Sequence, residues 1–192
     1  MHIFHEHKLI YIAVPATASS SFWHAMQTRW TKFETVNPPR DHPAKLLHPD
    51  IGINTHLTAE QGKMFIDPEI WNNYKKIAFV RHPYAWAKSM YNKKGLQQAV
   101  GVNVSQDNFV DFLKDINKTP YFWYVDKEGN MLIDKLYRTE DFKQVVAEFD
   151  LKELTMNRAR IDRPSERTPE VNMVLETKFA RELSHYPEEK HD

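Results

Sequence analysis

Short apolar runs alternate with segments of helical periodicity along this chain. Residues 8–14 form a continuous apolar run rich in strand formers, and residues 76–81 repeat the pattern. A continuous run of this kind is typical of a strand covered on both faces, as in a parallel sheet. After each run, apolar residues recur at helical spacing, from Phe22 in one case and from Trp86 in the other. The pattern therefore predicts two strand–turn–helix units.

Capping signals and apolar spacing predict the remaining elements. Thr58 and Gln61 have the form of a capping box, which indicates a helix start. Apolar residues at i, i+3, i+4 and i+7 predict a helix capped by Asp107, and Thr168 with Pro169 indicates the start of the last helix. We also expect a loop at residues 37–55, helices at 142–149 and 171–183, and a hairpin turn at 126–130 between strands at 121–125 and 131–137.

These elements predict an α/β protein, because strands that alternate with helices form mainly parallel sheets with helices on their faces. The 192 residues suit one domain, residues 1–192, with a three-layer sandwich and a mainly parallel central sheet. Ligands in such sheets usually bind beyond the C-terminal ends of the strands. Residues 15–21 and 81–83 follow those ends here.

Composition excludes several classes of protein. The 26 Lys and Arg residues balance 26 Asp and Glu residues, so a nucleic-acid binder that uses its whole surface is not expected. No apolar run approaches the roughly 18 residues of a membrane span, and the first residues lack a signal-peptide pattern. The absence of Cys excludes disulfide scaffolds, thiolate zinc sites and cysteine nucleophiles. It suits a reducing compartment, and we expect a cytoplasmic protein.

Three histidines near the start, His2, His5 and His7, raise the question of a metal site. No carboxylate or Cys pattern accompanies them, so we expect no metal ion here. A solvated N-terminal segment is the favoured interpretation.

The first candidate site connects the first strand to its helix through residues 14–21, Val-Pro-Ala-Thr-Ala-Ser-Ser-Ser. Backbone N–H groups at such a junction, together with the positive end of the helix dipole, bind anions. The hydroxyl groups can add hydrogen-bond donors. The alternative is an ordinary helix cap in a Ser-rich turn. The candidate binding residues are Ala16, Thr17, Ala18, Ser19, Ser20 and Ser21.

The second candidate site is Phe-Val-Arg-His-Pro at residues 79–83, followed by Ser89. Arg81 lies at the predicted strand end and Ser89 lies in the following helix. Arg suits a phosphate because its planar fork donates two parallel hydrogen bonds. The alternative is a surface salt bridge for Arg81 and a Ser on a helix flank.

Both motifs, in this order and on these elements, resemble those of the sulfotransferases that use 3′-phosphoadenosine 5′-phosphosulfate (PAPS). The similarity is greatest to the carbohydrate type, which includes the heparan 2-O-sulfotransferases. That family has a loop of the form V/I-P-K-T-A/G-S/G-T-S and a second motif F-V-R-x-P with a Ser eight residues after the Arg. The resemblance spans about residues 8–186 and includes the segments 56–59, 124–134 and 137–142.

The resemblance implies a P-loop-like sulfotransferase fold and transfer of a sulfuryl group from PAPS to a hydroxyl acceptor, a carbohydrate, without a metal. It assigns residues 16–21 to the 5′-phosphosulfate, and Arg81 and Ser89 to the 3′-phosphate. A basic stretch that ends at Arg167 falls where the family places a nucleotide-contacting loop, and Arg163 is its candidate contact. A solvated charge run is the alternative for this stretch. The oligomeric state is not implied.

One departure from the family pattern affects the expected chemistry. The family has a Lys where this chain has Ala16, and that Lys stabilises charge on the leaving phosphate oxygen. A catalytically impaired PAPS-binding relative is therefore an alternative. A P-loop-type nucleotide kinase is a weaker one, because the Gly-x-x-x-x-Gly-Lys pattern is absent.

His56 is the candidate catalytic residue. A His at this place in chain order acts as general base in the resembling enzymes, and imidazole titrates near neutral pH. The alternative is a surface residue in a chain that contains ten His.

Overall fold

A five-stranded sheet forms the centre of the protein in the computed structural model, which describes residues 1–36, 56–93, 97–102, 108–151 and 167–187. The predicted loop at 37–55 lies outside the described residues. The strand order is β3-β1-β2-β4-β5. The strands are β1 (His2–Phe4), β2 (Leu9–Ile12), β3 (Glu34–Thr35), β4 (Lys75–Val80) and β5 (Lys135–Arg138).

The sheet is mixed, whereas a mainly parallel sheet was expected. Strand β4 pairs in parallel with β2 and with β5, while β1 pairs antiparallel with β2 and with β3. Only residues 5–8 separate β1 from β2, and a connection this short makes an antiparallel pair because a parallel pair needs a long crossover. The parallel part, β2-β4-β5, contains the strand ends that carry the predicted site.

The first four residues are buried and His2–Phe4 enter the sheet, so the prediction of a solvated N-terminal segment is wrong for His2. His2 is only 3% exposed, its ring stacks on Trp23 at 3.7 Å, and its Nδ1 lies 3.1 Å from the Thr35 hydroxyl. His5 and His7 are exposed. In the described part of the chain, no group of three or more His, Cys, Asp or Glu side chains is placed to hold a metal ion. A strand of three residues has too few positions for an apolar pattern to reveal it.

Eight α-helices lie in the described residues. They are α1 (Ser19–Arg29), α2 (Ala59–Phe65), α3 (Pro68–Asn73), α4 (Pro83–Asn92), α5 (Phe109–Asp115), α6 (Phe142–Glu148), α7 (Pro169–Lys178) and α8 (Ala180–Leu183). The predicted last helix is thus interrupted at Phe179. Within the same residues, no helix is both long enough and apolar enough to cross a bilayer.

Local capping chemistry explains where several helices begin. Thr58 and Gln61 form the predicted capping box, with reciprocal hydrogen bonds of 3.0 and 3.1 Å. The side chain of Thr168 caps α7 as predicted. Helix α5 is capped by Asn108 and not by Asp107, which lies outside the described residues. The Asn108 side chain accepts two backbone hydrogen bonds, a role in which Asn and Asp are equivalent.

The predicted hairpin is present as its turn and one antiparallel bridge. The Asp126 carbonyl accepts a hydrogen bond from Gly129 at 3.0 Å, and Gly129 has φ +86°, a conformation that suits glycine. In the described residues, the two arms pair at the bridge between Val125 and Met131, beside a backbone hydrogen bond of 2.8 Å from Leu132 to the Tyr124 carbonyl. Pro120–Trp123 is a short 3₁₀ helix, consistent with a Pro at its first position, and β5 pairs with β4 instead.

Helices cover both faces of the sheet. Successive strand side chains point to opposite faces, so Ile77 packs with Phe22 and Phe142 on one face, while Ala78 packs with Trp86 on the other. Helices α1 and α6 supply the first core, and α4, α5 and α7 contribute to the second. Because both faces are buried, the strands carry continuous apolar runs, and the prediction of an α/β fold is confirmed.

Candidate functional site

Four successive carbonyl groups after β2 each accept a hydrogen bond from a side chain. The carbonyls belong to residues 13–16, which leave the sheet beside the end of the parallel neighbour β4. Three of the four donors come from segments far away in sequence. The donors are His56 Nδ1 to Ala13 (2.8 Å), Thr17 Oγ1 to Val14 (3.0 Å), Trp86 Nε1 to Pro15 (2.8 Å) and Arg81 Nη1 to Ala16 (3.1 Å). The structure thus brings the two predicted motifs and His56 together.

The loop between β2 and α1 has a strained backbone. Ala16 has φ +60° and Ala18 has φ +57° with ψ +19°, so both adopt the left-handed conformation. For a residue with a Cβ atom this costs roughly 1–2 kcal/mol, and such strain collects at functional sites. Left-handed residues also turn successive N–H groups towards one side, which makes anion-binding concavities. These two conformations make the loop a candidate anion site.

The hydroxyl residues of this loop do not form the ordinary helix cap that was the alternative interpretation. The N-cap residue of α1 is Ala18, and no side chain caps this helix. The Thr17 hydroxyl is fully buried and its proton is donated back to Val14. Thr17 therefore stabilises the loop through its side chain, and the donor that it can still offer to a ligand is its backbone N–H. Ser19 is buried and Ser20 is exposed.

Arg81 is half-buried directly after β4 and connects the two predicted motifs. Burial lowers the pKa of its guanidinium, and the nearby Glu140 carboxylate opposes that effect. Arginine stays protonated in proteins and has five N–H donors, of which the Ala16 carbonyl takes one. The group can therefore hold the loop and bind a phosphate at the same time.

The other residues predicted for the 3′-phosphate are placed less directly. Ser89 lies on α4 and is 6% exposed, and the described contacts do not bring its hydroxyl to Arg81. Arg163 lies outside the described residues. Arg167, at the end of the same basic stretch, has its guanidinium 5.7 Å from the ring centroid of Tyr84 on α4. The C-terminal end of that stretch therefore packs on the helix that follows Arg81.

The geometry of His56 suits a base. The Ala13 carbonyl can only accept, so Nδ1 carries the proton, and the neutral ring presents Nε2 as an acceptor. The Trp123 indole donates to the His56 carbonyl at 3.0 Å, which fixes the backbone there. Burial lowers the pKa of His56 below its ordinary value, the hydrogen bond to Ala13 partly opposes this effect, and the N-terminus and Lys93 lower the pKa further. The imidazole is therefore neutral at pH 7.

Sequence patterns gave no contact in this site to four residues that the structure places around it. They are Trp86 and Tyr186, together with Trp123, which was interpreted as core, and Glu140, which belongs to the resembling segment 137–142. Trp86 was placed on a helix by its apolar spacing, and a buried indole N–H needs an acceptor. This requirement predicts that Trp86 donates a hydrogen bond, but it does not identify the carbonyl that accepts it.

Comparison with known proteins adds no relative. No protein-family model, no curated protein and no solved structure matches this chain. The fold and the site define an α/β protein with a candidate anion site at the ends of two parallel strands.

Proposed function

We propose that this protein is a PAPS-dependent sulfotransferase with a P-loop-like sulfotransferase fold. It transfers a sulfuryl group from PAPS to a hydroxyl group of a carbohydrate. The observation that carries the proposal is the hydrogen bond from Arg81 to the Ala16 carbonyl, because it joins the segments expected to bind opposite ends of the nucleotide. The left-handed residues of the loop and the neutral His56 beside it support the same assignment.

In the proposed reaction, the acceptor hydroxyl oxygen attacks the sulfur of PAPS in line with the bond to the 5′-phosphate. A new S–O bond forms, the bond between sulfur and the phosphate oxygen breaks, and adenosine 3′,5′-bisphosphate leaves. His56 Nε2 takes the hydroxyl proton. Backbone N–H groups of residues 16–21 stabilise the charge that develops on the leaving phosphate oxygen.

The 3′-phosphate is held by the other half of the site. Arg81 donates charge-assisted hydrogen bonds to it. Ser89 and Arg163 are assigned to the same phosphate by the sequence resemblance. Together these residues distinguish PAPS from nucleotides without a 3′-phosphate.

A PAPS-binding protein with impaired catalysis is the second candidate, and Ala16 is the observation that favours it. The carbonyl of this residue is engaged by Arg81, but its methyl side chain supplies no charge to the leaving group. Nucleotide binding is expected in both cases, so binding and transfer must be measured separately.

Restoring the missing amine is expected to raise the rate of sulfate transfer. We predict that Ala16→Lys increases turnover at least about tenfold, which needs about 1.4 kcal/mol of transition-state stabilisation. The left-handed backbone at this position already holds a Cβ atom, so a Lys adds little strain there. The rates of both chains are measured with PAPS and a panel of sugar acceptors.

The matched control is Ala18→Lys, which places the same charge at the other left-handed alanine of the loop. We expect no gain from it, because position 18 is a small residue in the family pattern. Fast transfer by the wild type with no gain from Ala16→Lys contradicts the prediction and indicates that another cation acts there.

Nucleotide binding tests the proposed function directly. Adenosine 3′,5′-bisphosphate at 100 times its dissociation constant is expected to stabilise the folded protein by about 2.7 kcal/mol. The free energy of unfolding is measured by denaturant titration with the bisphosphate and, in parallel, with ATP. No stabilisation at millimolar bisphosphate contradicts the proposal, and stronger stabilisation by ATP favours a kinase.

A further inference from the structure

Tyr186, which follows the last described helix, contacts Val80 and His82, the residues before and after Arg81. Its hydroxyl lies 3.3 Å from the Val80 carbonyl, and its ring meets the His82 ring edge-on with centroids 5.2 Å apart. The side chain is largely buried, with 8% of the residue exposed. The shortest hydrogen bond of the Tyr186 hydroxyl goes to the Glu140 carboxylate, at 2.8 Å.

Glu140 follows β5 and contacts His82, the residue after Arg81. Its carboxylate accepts from the Thr139 hydroxyl at 3.1 Å and from the His82 backbone N–H at 3.4 Å. The carboxylate is close enough to raise the pKa of Arg81. Among the described ion pairs, none joins Glu140 to Arg81, so other donors hold the carboxylate.

Glu140 also raises the pKa of the neighbouring Arg138, but the described hydrogen bonds of that arginine go to another carboxylate. Arg138 donates two hydrogen bonds, of 2.8 and 3.1 Å, to Asp141. Its guanidinium lies 5.7 Å from the centroid of the Tyr186 ring. With Arg138 occupied by Asp141, Arg81 is the cation that Glu140 would approach if the Tyr186 hydroxyl were lost.

We propose that the Tyr186 hydroxyl keeps Glu140 off Arg81, so that the guanidinium stays available to the 3′-phosphate. This inference rests on the proposed function. Tyr186 is then a positioning residue, which acts on the ligand through Glu140 and Arg81. Its loss allows an Arg81–Glu140 ion pair, and a phosphate must break that pair before it can bind.

The test uses Tyr186→Phe, which removes the hydroxyl and keeps the ring. The dissociation constants of adenosine 3′,5′-bisphosphate and adenosine 5′-monophosphate are measured by calorimetry, because these ligands differ only in the 3′-phosphate. The variant is expected to bind the bisphosphate about tenfold more weakly, which corresponds to about 1.4 kcal/mol. Its affinity for the monophosphate is expected to stay within about twofold of the wild-type value, because an Arg81–Glu140 ion pair would compete only with the 3′-phosphate.

A double variant separates this effect from damage to the fold. Tyr186→Phe combined with Glu140→Gln removes the competing charge, and bisphosphate affinity is expected to return to the wild-type value. Tyr124→Phe is the matched control, because it removes a buried hydroxyl that donates to the Phe79 carbonyl of β4 at 2.8 Å. The control is expected to lower stability and leave the preference for the bisphosphate unchanged.

The outcomes distinguish this inference from the proposed function. A wild-type protein that binds both nucleotides equally, or neither, overturns the proposed function and this inference with it. A wild-type preference for the bisphosphate that Tyr186→Phe leaves intact overturns only the inference. If the double variant does not recover bisphosphate affinity, the inference is likewise overturned and the proposed function is not.

Discussion

Replacing His56 with alanine is expected to lower the rate of sulfate transfer by at least about 100-fold, the usual contribution of a positioned general base. The physical reason is that the variant lacks Nε2, the atom proposed to accept the proton of the attacking hydroxyl. Nucleotide affinity is expected to stay nearly unchanged, because His56 contacts the Ala13 carbonyl and not the proposed phosphate sites. Turnover with PAPS and calorimetric binding of adenosine 3′,5′-bisphosphate check the two parts separately.

Two further variants control for structural damage. In His56→Asn, the side-chain amide can still donate to the Ala13 carbonyl, so we expect the stability of the wild type. The amide is not a base, so we expect the variant to be as inactive as His56→Ala. His24→Ala removes an exposed His from α1 and is expected to have wild-type activity. An unchanged rate in His56→Ala contradicts the assignment of a general base and favours the alternative of a surface histidine.

The same residue sets the pH dependence of the proposed reaction. A base acts only when it is deprotonated, so the rate falls as the pH drops through the pKa of His56. Burial lowers that pKa below 6.5, and the acidic limb of the profile is therefore expected below pH 6.5. A limb above that value contradicts the assignment.

Replacing Arg81 with alanine is expected to weaken binding of adenosine 3′,5′-bisphosphate by at least about 30-fold, or about 2 kcal/mol. This is the range for hydrogen bonds to a charged group. Adenosine 5′-monophosphate is expected to lose much less, because only the hydrogen bond from Arg81 to the Ala16 carbonyl is removed from its part of the site. Both dissociation constants are measured by calorimetry.

Arg29→Ala is the matched control for the loss of a guanidinium. Arg29 forms an exposed ion pair with Asp150 at 2.7 Å on the surface, and its removal is expected to change neither dissociation constant. Arg81→Lys keeps the positive charge but loses the planar guanidinium that donates two parallel hydrogen bonds. Its affinity for the bisphosphate is therefore expected to lie between those of the wild type and Arg81→Ala. Equal losses for both nucleotides in Arg81→Ala identify Arg81 as a structural residue.

The elements that depend on local chemistry could be predicted from the sequence. Strands β2 and β4 have continuous apolar runs because both of their faces are buried. Thr58 and Thr168 cap their helices through residues three positions away. Strand β1 was not predicted, since three residues are too few to show a strand pattern and its place depends on pairing with β2 and β3.

The contacts of the candidate site could not be predicted, because they join distant parts of the chain. The donors to the carbonyls of Ala13, Pro15 and Ala16 lie 43, 71 and 65 residues away. A motif indicates which segments bind a ligand, while the packing of the sheet decides which atoms meet. The left-handed loop was also unexpected, because alanine occupies positions where glycine is the usual residue.

A crystal structure with adenosine 3′,5′-bisphosphate tests the central claim most directly, namely that the loop after β2 and Arg81 after β4 bind opposite ends of one nucleotide. We expect the 5′-phosphate at about 3 Å from backbone N–H groups of residues 16–21, the usual hydrogen-bond distance. We expect the 3′-phosphate to accept two hydrogen bonds from the Arg81 guanidinium. A nucleotide bound elsewhere, or one whose 3′-phosphate does not contact Arg81, contradicts the proposed binding mode.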